Sequence, residues 1–252
     1  MEHWPYPRWI AHRGAGKLAP ENTLAAFRLG AQYGYRMFEC DAKLASDGTP
    51  FLMHDSTLDR TTNARQVFGP APSNIGGDHP WGELAKLDAG GWHSRAYAGE
   101  PLPTLENASR FCIVNGHMLN IEIKPTPGTE RATGQVVARH AARLWNDAPV
   151  PPLLTSFKPD ALEGALETEP GLPRGLLVDT LWPGWFEKAM ALECVAIVCN
   201  YALWEATTVA RVHGAGMKCL SYTVNDEWAA QRMIALGTDG IITDRVDLFA
   251  PD

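Results

Sequence analysis

Residues 36–55 read RMFECDAKLASDGTPFLMHD and contain two short apolar runs, 36–41 and 50–54. Runs of this length and composition predict two β-strands. Between them, residues 42–49 offer only Asp47-Gly48 as a turn signal and leave no room for a helix. The two strands are therefore either a hairpin or neighbours that no crossover helix joins.

Elsewhere the chain alternates short apolar runs with longer amphipathic ones. This order predicts a parallel sheet with helices outside it, an α/β fold. The 252 residues suit one α/β barrel or two small domains. The strand candidates number one more than an eight-stranded barrel needs: 8–12, 36–41, 50–54, 118–124, 152–156, 174–178, 194–199, 217–223 and 240–243. The helix candidates are 23–33, 104–114, 130–146, 159–167, 184–192, 205–213 and 226–236.

The first of these helices carries the clearest end signals. Asn22 is a residue type that caps helices, and Leu24 and Phe27 recur on one face after it. Gly34 follows the last periodic residue. We predict that Asn22 caps this helix and that the run 20–23 is chiefly structural.

Residues 56–101 break the rhythm of the chain. The segment is rich in Gly, Pro, Asn and Trp, with Gly69-Pro70-Ala71-Pro72 as an example. It is too long for an ordinary loop. We expect a single domain over residues 1–252 that carries 56–101 as a small insertion subdomain over one end of the barrel.

Composition excludes several classes of protein. With 45% hydrophobic and 20% charged residues, the usage is that of an average soluble protein. No stretch approaches the ~20 apolar residues of a membrane helix. A net charge of −7 argues against binding to nucleic acid or to anionic lipid. We therefore expect a small-molecule substrate and no stable membrane association.

The cysteines and the N-terminus favour a cytoplasmic protein. The 5 cysteines are scattered and form no CxxC pair, which indicates reduced, buried thiols. The first residues lack the basic and apolar regions of a signal peptide. Trp182 and Trp185 suit the core, with an interface in a homo-oligomer as the alternative.

Three carboxylates stand in strand candidates that should be apolar. Residues two apart on a strand share a face, so Glu39 and Asp41 point the same way. At an effective dielectric constant of about 20, like charges 4 Å apart repel by roughly 4 kcal/mol, and a divalent cation removes this penalty. In residues 119–124 the same alternation places Glu122 and Lys124 on a polar face. The alternatives are a solvated strand end for the first pair and a plain ion pair for the second.

His12 and His54 each end a short apolar strand candidate, and Arg13 follows the first. A lone histidine there is usually structural, but two supply one general base and one general acid near neutral pH. Arginine offers a planar, permanently charged fork for phosphate. With the carboxylates, these groups predict metal-assisted attack on a phosphorus centre. The other histidines are interpreted as surface or structural residues: His3, His79, His93, His117, His140 and His213.

These motifs resemble the glycerophosphodiester phosphodiesterase family. The resemblance rests on His12-Arg13-Gly14, residues 20–23, Glu39-x-Asp41, Asp47-Gly48, His54-Asp55, residues 122–125, Ser156-Phe157, Thr223-Val224-Asn225 and residues 240–244. It covers nearly the whole chain in the right order. Residues 4–7 and 16–26 are further similar to cytosolic bacterial members that are associated with glycerol 3-phosphate uptake.

The resemblance implies a TIM (β/α)8 barrel of the phospholipase C-like phosphodiesterase type with a small insertion. It also implies hydrolysis of compounds such as glycerophosphocholine and glycerophosphoethanolamine to sn-glycerol 3-phosphate and an alcohol. One divalent cation, Mg²⁺ or Ca²⁺, would be held by the residues that match Glu39, Asp41 and Glu122. His12 would act as base and His54 as acid, with the reverse assignment left open.

The resemblance also implies how substrate is bound. Arg13 and Lys124 fall where the family contacts phosphate. Phe157 and Tyr222 are candidates for the mouth of the site, although Phe157 suits plain core packing equally well. Tyr222 stands where many members carry Trp, a departure that bears on head-group preference.

Two other functions remain open at this point, a phospholipase C- or D-like lipid phosphodiesterase and a non-catalytic phosphodiester-binding barrel. Direct attack by water and attack by the glycerol 2-hydroxyl to give a cyclic phosphate are both open as well.

Overall fold

Nine strands and nine helices make up the computed structural model, which describes residues 4–69 and 74–251. The strands are β1 (Trp9–Ala11), β2 (Met37–Leu44), β3 (Pro50–Leu52), β4 (Met118–Ile123), β5 (Leu153–Ser156), β6 (Arg174–Val178), β7 (Ala196–Asn200), β8 (Lys218–Tyr222) and β9 (Gly240–Thr243). The helices are α1 (Leu24–Gln32), α2 (Ala64–Phe68), α3 (Trp81–Leu84), α4 (Leu105–Val114), α5 (Glu130–Leu144), α6 (Pro159–Thr168), α7 (Trp185–Ala191), α8 (Ala206–Gly214) and α9 (Glu227–Ala235). Short 3-10 turns lie at Gly76–Asp78, Arg95–Tyr97 and Tyr201–Leu203. Every predicted strand and helix has a counterpart among these elements.

Eight parallel strands close into a ring in the order β1-β2-β4-β5-β6-β7-β8-β9. Ala11 of β1 pairs with Phe38 of β2, and this pairing completes the barrel. Strand β3 is the extra candidate, since it runs antiparallel to β2 with Leu52 opposite Ala42. The TIM barrel is confirmed, and of the two alternatives for residues 36–55 the hairpin is correct.

Asp47 and Gly48 form the turn of this hairpin, as predicted. Gly48 has a φ of +82°, which glycine adopts without a Cβ clash, and its N–H donates to the Ala45 carbonyl at 2.9 Å. The Asp47 carboxylate accepts from the N–H groups of Thr49 at 3.1 Å and Trp81 at 3.0 Å. The hairpin turn is thereby tied to α3.

Apolar side chains fill two layers of the barrel. Outside the sheet, alternate strand residues such as Leu119 and Ile121 pack under the helices. A smaller cluster fills the interior: Tyr6, Ile10, Met37, Leu153, Leu177, Ala196, Val198, Leu220 and Ile242. Met37, Leu153 and Ala196 are the first residues of their strands, so this packing includes the N-terminal end. Polar side chains are left to the C-terminal end, where barrels of this kind build their active sites.

The N-cap of α1 differs from the prediction. The Thr23 hydroxyl accepts from the Ala26 N–H at 3.3 Å and donates to the Pro20 carbonyl at 2.7 Å. Asn22 has a φ of +58°, and its side chain bonds to Asp41 of β2 instead. The prediction that Asn22 caps α1 is wrong because the neighbouring hydroxyl already meets the orphan N–H of the helix.

The described residues of segment 56–101 pack beside the hairpin around an apolar cluster that they share with it. The cluster joins Phe51 of β3 to residues of this segment, among them Leu58, Leu84 and Leu87. The short helices α2 and α3 lie here, and no sequence signal predicted them. Residues 70–73, which include the quoted Pro70-Ala71-Pro72, lie outside the described residues. Shared packing therefore connects the described part of the segment to the barrel.

The cysteines and the two tryptophans considered for an interface lie in or against the core. All 5 cysteines are buried and carry free thiols. Trp185 is buried, and Trp182 is half-buried against the same cluster. Their contacts fit core packing. Within residues 4–69 and 74–251, no helix has both the length and the apolar composition that a membrane span requires.

Candidate active site

The predicted site residues meet around the C-terminal end of the barrel. His12 and Arg13 follow β1, Glu39 and Asp41 lie in β2, His54 follows β3, Glu122 and Lys124 lie in and just after β4, Phe157 follows β5, and Tyr222 ends β8. Polar residues far apart in the chain are thus gathered by neighbouring strands. This is the end of a TIM barrel on which catalytic groups are positioned.

Glu39, Asp41 and Glu122 form a buried acidic cluster. One carboxylate oxygen from each lies within 4.8 Å of the other two. Asp41 and Glu122 face each other directly across the β2–β4 pair. Glu39 Oε1 and Asp41 Oδ1 are buried and accept no hydrogen bond. Buried acceptors without donors are rare, and hard cations are bound by oxygen ligands of this kind.

Burial and repulsion between neighbours set the charge of this cluster. Burial, followed by the charges of Asp41 and Glu122, raises the pKa of Glu39 well above its usual range. Burial and Asp41 raise the pKa of Glu122 to about 7. Burial acts in the same direction on Asp41, but Arg13, Lys124 and other partners outweigh it and hold the pKa at about 2. Positive neighbours thus favour the ionised form of Asp41, whereas burial, together with repulsion, favours the protonated form of Glu39 and Glu122.

Two cations flank the acidic cluster. Arg13 Nε lies 3.2 Å from Asp41 Oδ2, and the Arg13 N–H donates to Glu39 Oε2 at 3.1 Å. Lys124 Nζ lies 3.0 Å from Glu122 Oε1, so the ion pair considered as the simpler alternative is present beside the cluster. Arg13 holds a φ of +51°, a conformation that costs a non-glycine residue about 1–3 kcal/mol and recurs at functional sites.

His12 is oriented by the strand ends of the barrel. Its Nδ1 lies 2.7 Å from Asp244 Oδ1, and its Nε2 lies 3.8 Å from Glu39 Oε2. Asn225 donates to Asp244 Oδ2 at 2.8 Å and accepts from the Asp244 N–H at 2.9 Å. Burial would raise the pKa of Asp244, but His12 and Asn225 lower it to about 2. Gly16 packs so closely that a Cβ would overlap the Asp244 backbone. A fixed carboxylate thus directs Nε2 of His12 toward the acidic cluster.

His54 is oriented by a network of ion pairs. Its Nδ1 lies 2.7 Å from Asp55 Oδ1. Arg60 Nε donates to Asp55 Oδ2 at 2.6 Å, and Arg60 Nη2 donates to Glu21 Oε1 at 2.8 Å. Glu21 also accepts from Arg13 Nη1 at 2.9 Å. Arg60 hydrogen bonds lower the pKa of Asp55 strongly. The network joins His54 to Arg13 through side chains that solvent reaches.

Asn22 bonds directly to the acidic cluster. Its Nδ2 donates to Asp41 Oδ2 at 2.8 Å, and its Oδ1 accepts from the Asp41 N–H at 3.0 Å. Both residues are buried. These contacts replace the predicted helix cap: Asn22 orients a cluster carboxylate, and Glu21 belongs to the His54 network.

Two cavities adjoin at the acidic cluster. The larger has a volume of about 520 Å³, and its lining includes Lys43, His54, Glu122, Lys124, Phe157 and Lys158. The smaller has a volume of about 30 Å³, and its lining includes His12, Glu39, Glu122, Phe157, Leu177 and Tyr222. Phe157 and Tyr222 pack edge to face with ring centroids 5.7 Å apart. Each histidine thus borders its own cavity, and Glu122 and Phe157 border both.

Lys43 is a functional candidate that sequence reasoning missed. It follows Glu39 and Asp41 at the same two-residue spacing on β2, so the alternation that pairs the carboxylates also selects this lysine. The residue is 3% exposed, and Nζ donates to the Lys124 carbonyl at 3.2 Å. Burial, and then the charge of Lys124, lower the pKa of Lys43 to about 8. The two-residue alternation of side chains along β2 was therefore enough to identify Lys43 from the sequence.

Two residues that hold the histidines were also missed. Asp244 stands in the quoted motif 240–244, but the motif does not indicate which side chain Asp244 contacts. Arg60 lies in the irregular segment 56–101, where no local pattern marks it. Only the tertiary contacts identify these two residues.

A second group of residues whose side chains can bind a metal lies at the opposite end of the barrel. His213, Cys219 and Asp239 bring three ligand atoms within 4.8 Å of one another. Asp239 already accepts from His213 Nε2 at 2.8 Å and from Lys218 Nζ at 2.9 Å. Burial raises the pKa of the Cys219 thiol. This group is a satisfied ion-pair cluster, in keeping with the interpretation of His213 as structural.

Comparison with known proteins places this arrangement among characterised relatives. Residues 12–248 match the Glycerophosphoryl diester phosphodiesterase family. The glycerophosphodiester phosphodiesterase of Caldanaerobacter subterraneus is 31% identical over 93% of each chain. A solved phosphodiesterase of Oleispira antarctica, in complex with the product sn-glycerol-3-phosphate, has a TM-score of 0.84 and 33% identity over 94% of this chain and 93% of its own. A glycerophosphodiester phosphodiesterase structure from Agrobacterium tumefaciens has a TM-score of 0.76 and 28% identity over 97% and 99%.

Proposed function

Because this chain belongs to the glycerophosphoryl diester phosphodiesterase family and is an enzyme of that class, we propose that it hydrolyses small glycerophosphodiesters to sn-glycerol 3-phosphate and an alcohol. Glycerophosphocholine and glycerophosphoethanolamine are representative substrates. One observation carries the proposal. His12 and His54 are each held through Nδ1 by a carboxylate, and each borders one of two cavities that meet at Glu122.

We propose that Glu39, Asp41 and Glu122 hold one divalent cation, Mg²⁺ or Ca²⁺. The donors are all carboxylate oxygens, which suit hard cations. Two ligands of one Ca²⁺ lie at most about 5 Å apart, and the three oxygens meet within 4.8 Å. The buried acceptors without donors fit the same assignment. When bound, such a cation neutralises phosphate charge and lowers the pKa of the attacking oxygen.

The two histidines would move protons on the two sides of the phosphate. With Nδ1 bonded to Asp244, His12 has Nε2 free to take a proton from the attacking hydroxyl, whether that belongs to water or to the glycerol 2-hydroxyl. With Nδ1 bonded to Asp55, His54 has Nε2 free to protonate the leaving alcohol. We assign His54 to the alcohol because it borders the larger cavity, which has room for varied head groups.

The remaining predicted residues would bind the two halves of the substrate. Arg13 and Lys124 place positive charge beside the cluster, where phosphate oxygens would lie. Phe157 and Tyr222 wall the smaller cavity beside His12, and their rings would pack against the carbons of glycerol. The product recorded in the Oleispira antarctica structure supports this assignment of glycerol 3-phosphate.

The segment 56–101 would act as an insertion subdomain that limits the size of the substrate. Ser56 and Thr57 line the larger cavity directly after His54. These short polar side chains suit a deacylated head group on this side of the cavity. The free, buried cysteines fit a reducing compartment, and we propose that the enzyme acts in the cytoplasm.

A coupled assay for glycerol 3-phosphate tests this function. The purified chain should release glycerol 3-phosphate from both representative substrates. EDTA should abolish the release, and excess Mg²⁺ or Ca²⁺ should restore it. Full activity in chelator would refute the metal assignment. Turnover of diacyl phospholipid in preference to both substrates would favour a lipid phosphodiesterase instead.

A further inference from the structure

The larger cavity carries more positive charge than the proposed reaction uses. Lys43, Lys124 and Lys158 all line it. Lys124 pairs with Glu122 at 3.0 Å. Among the described residues, no carboxylate oxygen lies within the 4.0 Å ion-pair distance of the Lys43 or Lys158 ammonium. Neither of these two lysines forms an ion pair, although the charges of Asp41, Glu122 and Asp55 act on Lys43 from beyond that distance.

The carboxylates of the same wall are already occupied. Asp55 accepts from His54 and from Arg60, and Glu122 pairs with Lys124 beside the acidic cluster. The other polar groups that line the cavity include the neutral hydroxyls of Ser56 and Thr57. The excess charge that faces the cavity is therefore positive.

Lys43 is the more informative of the two unpaired lysines. The residue is 3% exposed, and the one hydrogen bond of its ammonium goes to the Lys124 carbonyl. An ammonium has three donors, so two remain for a ligand in the cavity. Burying a cation that no carboxylate contacts directly is costly, and the distant carboxylates do not offset the burial of Lys43, because its pKa stays lowered. An anionic group of the substrate, placed in this cavity, would remove that cost.

The cavity is also poorly suited to a quaternary ammonium group. Such groups are bound by open aromatic faces. Phe157 lines the cavity, but Lys124 Nζ already stands 5.7 Å from the centroid of its ring. A trimethylammonium group would therefore meet like charge at the aromatic surface as well as at Lys43.

We propose that Lys43, with Lys158 at the rim, selects glycerophosphodiesters whose leaving alcohol carries a second anionic group such as a further phosphate. The inference rests on the proposed function, because it concerns the alcohol half of that substrate. The chemical class is a polyanionic glycerophosphodiester, bound with its scissile phosphate at the acidic cluster and its second anion at Lys43.

Three substrates that differ in the charge of the leaving alcohol test this. They are bis(glycerophospho)glycerol, glycerophosphoglycerol and glycerophosphocholine, whose alcohols are anionic, neutral and cationic. For the wild type, initial-rate kcat/KM should fall in that order, with about 10-fold or more between the first and the last.

Lys43→Met should lower kcat/KM for the anionic substrate about 10-fold, mainly through KM, and for the neutral one about 3-fold or less. Lys158→Met should act in the same direction by about 2–3-fold because it is exposed.

Lys86→Met is the matched control, because Lys86 is exposed and lines neither cavity. It should leave all three rates within about 2-fold. Equal losses on the three substrates in Lys43→Met would overturn the proposal, since they would place Lys43 at the shared phosphate. If Lys43→Met fails to fold, an unchanged ratio of anionic to cationic rates in Lys158→Met overturns it. Failure of the proposed function looks different: the wild type then releases glycerol 3-phosphate from none of the three, and the inference falls with it.

Discussion

His12 and His54 are each bonded through Nδ1 to a carboxylate, but different contacts hold the two carboxylates in place. Each has Nδ1 at 2.7 Å from a carboxylate oxygen. The carboxylate beside His12 is 14% exposed and belongs to a loop fixed by the ends of β8 and β9. The carboxylate beside His54 is 26% exposed and depends on Arg60, whose side chain is 44% exposed.

This difference matches the two halves of the proposed substrate. The glycerol phosphate half is constant, and the histidine assigned to it is held by the barrel itself. The alcohol half varies, and the histidine assigned to it is held by ion pairs to a segment outside the barrel ring. Exposed ion pairs are weakened by salt, whereas bonds between strand ends are screened much less. The two dyads should therefore respond differently to mutation, to leaving group and to salt.

Removing the imidazoles should have the largest effect. His12→Ala and His54→Ala should each lower kcat by about 10²–10⁴-fold on glycerophosphoglycerol. A glycerophosphodiester of p-nitrophenol separates the two, because its leaving group departs without a proton. Activity on this compound should recover in His54→Ala and stay low in His12→Ala. The opposite pattern of recovery would exchange the base and acid assignments.

Much of the barrel was predictable because each buried strand contrasts with the polar chain around it. The carboxylates at Glu39 and Asp41 stood out for the same reason. Apart from Lys43, whose signal lay in the alternation of β2, the residues that were missed depend on contacts between distant segments. Asn22 and Thr23 are both good caps, and only the hydrogen bonds from Asn22 to Asp41 separate their roles. Arg60 lies in a segment whose helices are too short to show a period.

Neutralising the two supporting carboxylates should have the next largest effect. Asp244→Asn should lower kcat about 10²-fold or more, because an amide no longer fixes the tautomer or supports a charged ring. Asp55→Asn should cost about 10-fold, since water reaches this site and can replace part of the contact. Asp239→Asn is the control, because its bond to His213 lies at the other end of the barrel. Equal losses in the first two variants would remove the distinction between the dyads.

Replacing Arg60 should have the smallest effect on kcat, and it tests most directly whether ion pairs hold His54. Exposed ion pairs contribute at most about 1 kcal/mol each, so Arg60→Met should lower kcat on glycerophosphoglycerol about 3–5-fold with little change in KM. Arg60→Lys should recover part of this loss, because one cation can still reach Asp55 or Glu21.

The salt response and the leaving group then show which histidine Arg60 serves. Raising the salt concentration should slow the wild type toward the rate of Arg60→Met, which salt should affect less. On the p-nitrophenyl substrate the Arg60→Met defect should disappear, because protonation by His54 is no longer required. A defect that persists there would mean that Arg60 acts through Glu21 and Arg13 on the phosphate, and not through Asp55 on His54.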